Sequence, residues 1–171
     1  MFSIEIPTFN TLKYLKLCLE SLKKNSSFNH QIIIFVNDGN DGTLQYVKVN
    51  NLENFHSTNN VGLCNAVNKA SKAPKKKYLI YAHDDMYFCP GWDITFAEEL
   101  KKLNNREDLF LSGTMVQPFS SYLKFDCGKT FKDFDEEKLL NGVHKIKYDD
   151  FQGTHWQPSL IAKKNCDNVD G

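Results

Sequence analysis

The sequence predicts an α/β protein in which helices cover a mostly parallel sheet. Strand-like and helix-like segments alternate over residues 1–115, as in a chain built from βαβ units. The run Ile-Ile-Ile-Phe-Val at 32–36 is continuous and rich in β-branched residues, which is typical of a strand buried on both faces. The polar segment 37–43 that follows it has the composition of a turn.

The first strand and helix have clear boundaries in the sequence. Residues 2–6 alternate apolar and polar side chains and predict a strand that ends at Pro7. Thr8 or Asn10 is expected to cap the helix that follows. The apolar residues of that helix recur at spacings of three and four, which turns one face toward the sheet. They are Leu12, Leu15, Leu19 and Leu22.

The remaining elements of the alternating part follow from apolar runs and their flanking turn residues. They are, in order, strand 31–36, helix 43–49, strand 55–58, a helix around 66–70, strand 78–82, helix 93–103 and strand 109–111. Beyond Pro118 the pattern is less regular. Residues 119–131 fit a hairpin or an irregular strand, 133–141 a short helix, and 156–162 a last strand. The length of 171 residues fits one domain, 1–171.

The composition excludes several classes of protein. Lysine plus arginine and aspartate plus glutamate each number 21, so no net charge favours nucleic acid or an anionic membrane. The five cysteines include no Cys-x-x-Cys pair, which argues against a disulfide framework or zinc knuckle and favours a reducing, cytoplasmic setting. Glu5 and Pro7 interrupt what would be the apolar part of a signal peptide. No run approaches the ~18 apolar residues of a transmembrane segment, so a membrane association would be peripheral, at the cytoplasmic face.

Adjacent carboxylates follow the predicted strand 78–82 and are the strongest sign of chemistry. Buried acids at such a position are costly without a cation or hydrogen-bond donors, and open α/β sheets bind ligands there. Mg²⁺ and Mn²⁺ take one or two carboxylates together with substrate phosphates. We therefore expect Asp85 to bind a divalent cation, with His83 as a further nitrogen ligand or a structural residue. On an extended strand Asp84 would point to the opposite side, toward a ribose hydroxyl; an acidic surface turn is the alternative.

Other predicted strand ends carry candidate contacts for the same ligand. Asp38 follows the second strand and is expected to lie near Asp84, where it would accept hydrogen bonds from a base or ribose or cap its own turn. Phe9 offers a ring for a nucleobase, or belongs to the core. Thr8 and Asn10 offer polar contacts, or cap the first helix.

Two weaker candidates lie further along the chain. Asn60 and Gly62 belong to a loop before a helix, which could present its backbone to ribose or phosphate. Trp156 could form a stacking platform for an acceptor sugar or belong to the core.

In this order, the segments resemble the inverting family-two glycosyltransferases of the GT-A fold, over about residues 2–117. The matching segments are Ile-Pro-Thr-Phe-Asn at 6–10, Cys-Leu-Glu-Ser-Leu at 18–22, Val-Asn-Asp-Gly-Asn-Asp-Gly-Thr at 36–43, Asn-Val-Gly at 60–62, Ala-Val-Asn-Lys-Ala at 66–70 and Ala-His-Asp-Asp-Met at 82–86. The resemblance implies a Rossmann-like, three-layer α/β/α domain with a mostly parallel mixed sheet. Its donor-binding half would be 1–117 and a partial acceptor-side half 118–171.

The resemblance also implies an activity. A sugar would pass from a nucleotide-diphosphate donor, most commonly a uridine diphosphate (UDP) sugar, to a glycan, lipid or protein acceptor, assisted by Mn²⁺ or Mg²⁺. Asp38 matches a base contact, Asp84 a ribose or phosphate contact and Asp85 the metal ligand. Thr8 and Phe9 match positions that flank the nucleoside.

The sequence departs from the family pattern at three places. Asn37 and His83 replace acids of the two acidic motifs, and the family position of the catalytic base falls beyond Gly171. Asp149 and Asp150 are candidates for that base on composition only. The alternatives are therefore a catalytically idle sugar-nucleotide-binding module or a truncated fragment.

Two other enzyme classes are disfavoured. A nucleotidyltransferase would want a glycine-rich loop after the first strand, where Pro-Thr-Phe-Asn stands at 7–10. No Gly-x-Gly-x-x-Gly follows any predicted strand, which argues against a dinucleotide-dependent oxidoreductase.

Overall fold

The computed structural model describes residues 1–119, 123–146 and 157–167. Their strands are β1 (Ser3–Phe9), β2 (Gln31–Asn37), β3 (Glu53–Ser57), β4 (Tyr78–Tyr81), β5 (Phe110–Ser112) and β6 (Ser159–Ala162). Their α-helices are α1 (Leu12–Asn25), α2 (Thr43–Val49), α3 (Leu63–Ala70), α4 (Trp92–Lys102), α5 (Glu136–Gly142) and α6 (Lys163–Asp167). A 3₁₀ turn, Val143–Lys145, follows α5.

The strands form one mixed sheet in the order β3-β2-β1-β4-β6-β5. Strands β1 to β4 run parallel to one another, while β6 runs antiparallel to both β4 and β5. Helices α1, α2 and α3 join consecutive parallel strands, since parallel neighbours need a crossover connection. The carboxyl ends of β1, β2 and β4 therefore lie at the same edge of the sheet.

Helices pack on both faces of the sheet, because alternate side chains of each strand point in opposite directions. Ile34 and Val36 of β2 belong to the main core, which also contains residues of α1, α2 and α4. Ile33 and Phe35 point the other way and pack against α3. The three-layer α/β/α arrangement predicted from the sequence is therefore confirmed.

Two local predictions, one about the end of the first strand and one about the N-cap of the first helix, were wrong. β1 continues through Pro7 to Phe9, although a strand end was expected at Pro7. The ladder with β4 ends at Glu5, before Pro7, so the missing proline N–H interrupts no bond to that neighbour, while pairing with β2 continues to Phe9. The N-cap of α1 is Thr11, and neither Thr8 nor Asn10 occupies that position.

Predictions for the last third of the chain were less accurate. In the described part of 119–131, Lys124 forms an isolated parallel bridge with Gln117, which precedes this segment, and no hairpin is assigned there. The short helix predicted at 133–141 is α5, which begins where Asp135 caps the Lys138 N–H. Trp156, the predicted start of the last strand, lies outside the described residues. The described part of that strand, β6, is in place.

The described residues contain no helix with the length and apolar character needed to cross a bilayer. Cys18, Cys64, Cys89 and Cys127 are not in disulfide bonds.

Glu5 is an exception to the apolar interior. It lies in the middle of β1, is fully buried, and neither carboxyl oxygen has a hydrogen-bond partner among the described residues. Burial raises the pKa of Glu5 from 4.5 to about 8, because the charged form loses hydration without gaining a partner. The folded protein therefore holds a proton on Glu5 at pH values where the unfolded chain has released it.

This buried acid makes stability depend on pH. The contribution of Glu5 is complete below pH 4.5 and is lost as the pH rises toward 8, since the raised pKa favours the protonated folded state. Glu5→Gln removes the titration. We expect wild type to lose roughly 1.4 kcal/mol per pH unit relative to Glu5→Gln within this window. Urea unfolding of both proteins at several pH values measures it, and parallel profiles would contradict the burial of an unpaired acid.

Candidate functional site

Four aspartates lie in the loops at the carboxyl edge of the parallel strands. Asp38 and Asp41 follow β2, and Asp84 and Asp85 follow β4. Asn10, Thr11 and Leu12, at the junction of β1 and α1, donate hydrogen bonds to three of them. The expected meeting of the two acidic loops at one edge is therefore present in the structure.

Asn10 holds the loop after β2. Its amide donates to Asp38 Oδ2 at 3.0 Å, and its side-chain oxygen accepts the Gly39 N–H at 2.9 Å. Asn10 and Asp38 both have positive φ, 52° and 60°, a backbone region that asparagine and aspartate tolerate better than most residues. A side chain at Gly39 would meet Val36 Cγ1 at 2.8 Å, and its φ is +83°. The turn therefore requires glycine there.

Asp84 is held from the side of β1. Thr11 Oγ1 donates to Asp84 Oδ2, and Thr8 Oγ1 lies 3.0 Å from Thr11 Oγ1. Burial raises the pKa of Asp84; the Thr11 and Thr8 hydroxyls oppose this rise, and the charge of Asp85 adds to it. A nearby cation or donor would stabilise the ionised form of this carboxyl.

Asp41 caps two helices at once. Its Oδ2 accepts the Leu12 N–H at the start of α1, at 2.8 Å, and its Oδ1 accepts the N–H and hydroxyl of Thr43 at the start of α2. Burial alone would raise the pKa of Asp41, but the bonds from Thr43 and Leu12 outweigh it and hold the pKa below its usual value. Asp41 therefore fixes both helices relative to the site.

His83 is positioned by its neighbours on both sides. Its Nε2 lies 2.8 Å from the Tyr81 hydroxyl, and its carbonyl oxygen faces the Cys18 thiol of α1 at 3.7 Å. Burial and then the charges of Glu5, Cys64, Asp84 and Asp85 raise the pKa of Tyr81 to about 12. Tyr81 therefore stays a neutral hydroxyl. Because this hydroxyl lies against Nε2 of His83, Nδ1 is the ring nitrogen that can bind a ligand.

Asp84 and Asp85 were expected to point to opposite sides because they continue a strand, but they do not lie on one. β4 ends at Tyr81, and Asp84 and Asp85 lie in a turn. Asp84 is partly buried against Thr11, whereas Asp85 is exposed and has no hydrogen-bond partner among the described residues. The two carboxylates thus differ because of the tertiary contacts of the turn, not because of a strand period.

The described residues form no preformed metal cage. Within residues 1–119, 123–146 and 157–167, no three His, Cys, Asp or Glu side chains come together in a way that could hold an ion. Asp85 and His83 are oxygen and nitrogen donors of the kind that Mn²⁺ accepts. Such a pair fits an ion that receives its remaining ligands from a phosphorylated substrate and water.

The Asn60–Gly62 loop is tied to the end of β2. Asn37 Oδ1 accepts the Val61 N–H at 3.0 Å, and Asn60 Oδ1 accepts the Gly62 N–H at 2.9 Å. Gly62 has φ +81° and directly precedes α3. Asn37, a departure from the family pattern, thus anchors this loop to the end of β2.

The remaining predicted residues differ in how the structure places them. Phe9 is 47% exposed at the end of β1, so its ring is not part of the core. Thr8 is buried beside Thr11. Trp156, Asp149 and Asp150 lie outside the described residues.

Sequence reasoning missed Thr11 and Asp41 as parts of the site. Both act through residues that are distant in sequence, 73 residues away for Thr11 and Asp84 and 29 for Leu12 and Asp41. The available signal for Asp41 was its place two residues before Thr43, a spacing that favours an Asx turn. For Thr11, the sequence carried no comparable signal.

Comparison with known proteins agrees with the resemblance. The sequence profile described as "Glycosyl transferase family 2" matches residues 3–152. EpsH of Bacillus subtilis, whose description as a glycosyltransferase is provisional, is 24% identical over 152 residues, 85% of this chain and 43% of that protein. RP339 of Rickettsia prowazekii, an uncharacterized glycosyltransferase, is 26% identical over 168 residues, 96% of this chain and 52% of that protein. The chain spans about half the length of these curated relatives.

Solved structures share the fold. TarS 1–349 of S. aureus in complex with UDP has a TM-score of 0.67 at 20% identity, over 99% of this chain and 48% of that chain. The mannosyltransferase PcManGT of Pyrobaculum calidifontis, in complex with GDP-Man and Mn²⁺, has a TM-score of 0.57 at 18% identity, over 68% of this chain and 36% of that chain. These likenesses confirm the Rossmann-like GT-A fold class.

The double cap formed by Asp41 predicts a stability effect. Asp41→Ala leaves the Leu12 and Thr43 N–H groups without their acceptor, and we expect a loss of about 1–2 kcal/mol in the free energy of unfolding. Asn40→Ala, a change at the neighbouring exposed residue of the same turn, is the matched control and should stay within about 0.5 kcal/mol of wild type. Urea unfolding measures both, and equal stabilities would refute the capping role.

Proposed function

Since this chain belongs to glycosyl transferase family 2, we propose that it binds the nucleotide diphosphate of a sugar donor, with UDP as the nucleotide. The class of enzyme is a glycosyltransferase. One observation carries the proposal for the donor. Asp38 and Asp84 are held at one sheet edge by consecutive residues, Asn10 and Thr11, while Asp85 beside them stays exposed.

The nucleoside is proposed to lie over the end of β1. The exposed ring of Phe9 offers a face on which a base can stack. The Asp38 carboxylate accepts from Asn10 at one oxygen, so its remaining acceptor positions suit an N–H of the base. Thr8 contributes through its contact with Thr11. The UDP complex of TarS, which has the same fold, supports uridine as the first nucleotide to test.

The diphosphate is proposed to lie toward the turn after β4. Asp85 would hold Mn²⁺ or Mg²⁺, with His83 as a further ligand through Nδ1, and Asp84 would contact the ribose or a phosphate. When bound, the cation neutralises the negative charge that develops on the departing diphosphate. The chain's own part is to present one exposed carboxylate and keep the neighbouring one turned toward β1. The GDP-Man and Mn²⁺ complex of PcManGT supports this choice of ion.

The Asn60–Gly62 loop is proposed as a further donor contact. Its conformation is fixed by Asn37 and by the internal bond of Asn60. The bonds to Val61 and Gly62 use the backbone N–H groups of this loop, so the proposed contact to ribose or phosphate falls to the exposed Asn60 side chain and to close approach at Gly62. A Cβ added at Gly62 would meet nothing within 4 Å, so space for a ligand remains there.

The acceptor is proposed to bind through the second half of the chain. We propose residues 1–117 as the donor-binding half and 118–171 as part of the acceptor-side half, with Trp156 as a stacking platform. The acceptor would be a glycan, lipid or protein. An inverting transfer needs a base for the acceptor hydroxyl, and no described residue is assigned that role. The five widely spaced cysteines, with no Cys-x-x-Cys pair, favour a reducing, cytoplasmic setting.

A catalytically idle donor-binding module is the second candidate. It is favoured by the absence of an assigned base within the described residues. The two candidates differ in one measurement, because only an enzyme releases the sugar from its nucleotide. Donor binding without transfer or hydrolysis would favour the idle module. A nucleotidyltransferase is disfavoured, since the segment after β1 is built to hold Asp38 and Asp84 and contains no glycine-rich loop.

Calorimetric titration with UDP, with and without Mn²⁺, tests the donor site. We expect Mn²⁺ to strengthen UDP binding, Asp85→Ala to abolish this dependence, and Asp38→Ala to weaken binding by about tenfold, or about 1.4 kcal/mol. The reason is that Asp85 is the exposed carboxylate at the site and Asp38 the proposed base contact.

Glu98→Ala, which removes an exposed acid on α4, is the matched control and should bind UDP and Mn²⁺ like wild type. Equal affinity of wild type for UDP in Mn²⁺ and in chelator would contradict the metal assignment. An unchanged affinity in Asp38→Ala would contradict the base assignment.

A further inference from the structure

Thr11 occupies the N-cap of α1 but does not act as a cap. Threonine is favoured at this position because its hydroxyl oxygen can accept an N–H of the first helical turn. The Thr11 side chain makes no such bond. Its hydroxyl is directed away from the helix that it begins.

The Thr11 hydroxyl instead donates to Asp84 Oδ2. Thr8 Oγ1 lies 3.0 Å from Thr11 Oγ1, and the Thr8 hydroxyl also acts on the Asp84 carboxylate. The result is a chain of hydroxyl groups from β1 to the turn after β4. Hydrogen bonds to a carboxylate are shorter and stronger than those between neutral groups.

The capping that Thr11 does not provide comes from another loop. Asp41 accepts the Leu12 N–H at 2.8 Å. The start of α1 therefore depends on Asp41 rather than on the Thr11 side chain. The Thr11 hydroxyl can therefore bond to Asp84, because the Leu12 N–H at the helix start already has Asp41 as its acceptor.

We infer that Thr11 is a positioning residue for the donor site, acting through Asp84. By holding Oδ2, it keeps this carboxylate turned toward β1 and the nucleoside, apart from the exposed Asp85. Asp84 can then contact the ribose or a phosphate, while the adjacent Asp85 binds the cation. This inference rests on the proposed function, because the ligand that Asp84 contacts is the nucleoside diphosphate.

A double-mutant cycle tests the inference. Thr11→Val removes the hydroxyl and keeps the shape, and it should weaken UDP binding in Mn²⁺ by about tenfold, the scale typical when a group that orients a ligand residue is lost. Thr11→Ser keeps the hydroxyl and should restore most of the affinity. In an Asp84→Ala background, Thr11→Val should have no further effect. The melting temperature should change little in Thr11→Val, since Asp41 caps α1.

The cycle also defines what would overturn the inference. Additive losses from Thr11→Val and Asp84→Ala would show that Thr11 does not act through Asp84. Equal losses in Thr11→Val and Thr11→Ser would show that the hydroxyl is not responsible. A large drop in melting temperature that explains the lost binding would assign Thr11 a structural role only.

Crystal structures separate this inference from the proposed function. If wild type binds no UDP, the proposed function fails, but Thr11 remains testable from ligand-free crystals. We expect the Asp84 side chain to leave its position toward β1 in Thr11→Val while the first turn of α1 stays in place. An Asp84 side chain that keeps the same orientation in Thr11→Val would overturn the inference.

Discussion

The arrangement of the site depends on three consecutive residues at the junction of β1 and α1, the last of which is the first residue of α1. Each one donates a hydrogen bond to a different aspartate, and the three aspartates come from separate positions in the chain. The bonds run from Asn10 to Asp38, from Thr11 to Asp84 and from Leu12 to Asp41. Because β1 lies between β2 and β4 in the sheet, the segment that follows it can reach the loops on both sides. One short segment thus fixes the relative positions of all three acids.

This constraint explains how neighbouring acids can serve different purposes. Donors bound to Asp41 hold its pKa low, so it is a charged structural cap. Asp84 is more buried, and burial raises its pKa although two hydroxyls oppose the rise. Asp85 has no such partner among the described residues and remains exposed. The site therefore combines a structural carboxylate in Asp41, a carboxylate held in one orientation in Asp84 and an exposed carboxylate in Asp85. This arrangement suits a cation and a diphosphate.

The sequence predicted the framework well, because β2 and α2 have strong local patterns and both occur where expected. It failed where tertiary pairing decides the outcome. Pro7 is tolerated within β1 because the ladder with β4 ends before it, which no local rule could reveal. The roles of Thr11 and Asp41 depend on partners far along the chain. The side chains of Asp84 and Asp85 do point to different surroundings, as strand alternation predicted. The cause, however, is a turn and its contact with Thr11, not a strand.

The central claim is that these loops hold a nucleotide diphosphate together with a divalent cation. A crystal structure of the chain with UDP and Mn²⁺ tests it most directly. We expect Mn²⁺ to be coordinated by Asp85 and by diphosphate oxygens, with the uracil against Phe9 and Asp38. A structure in which UDP binds elsewhere, or in which Mn²⁺ binds the diphosphate without Asp85, would contradict it.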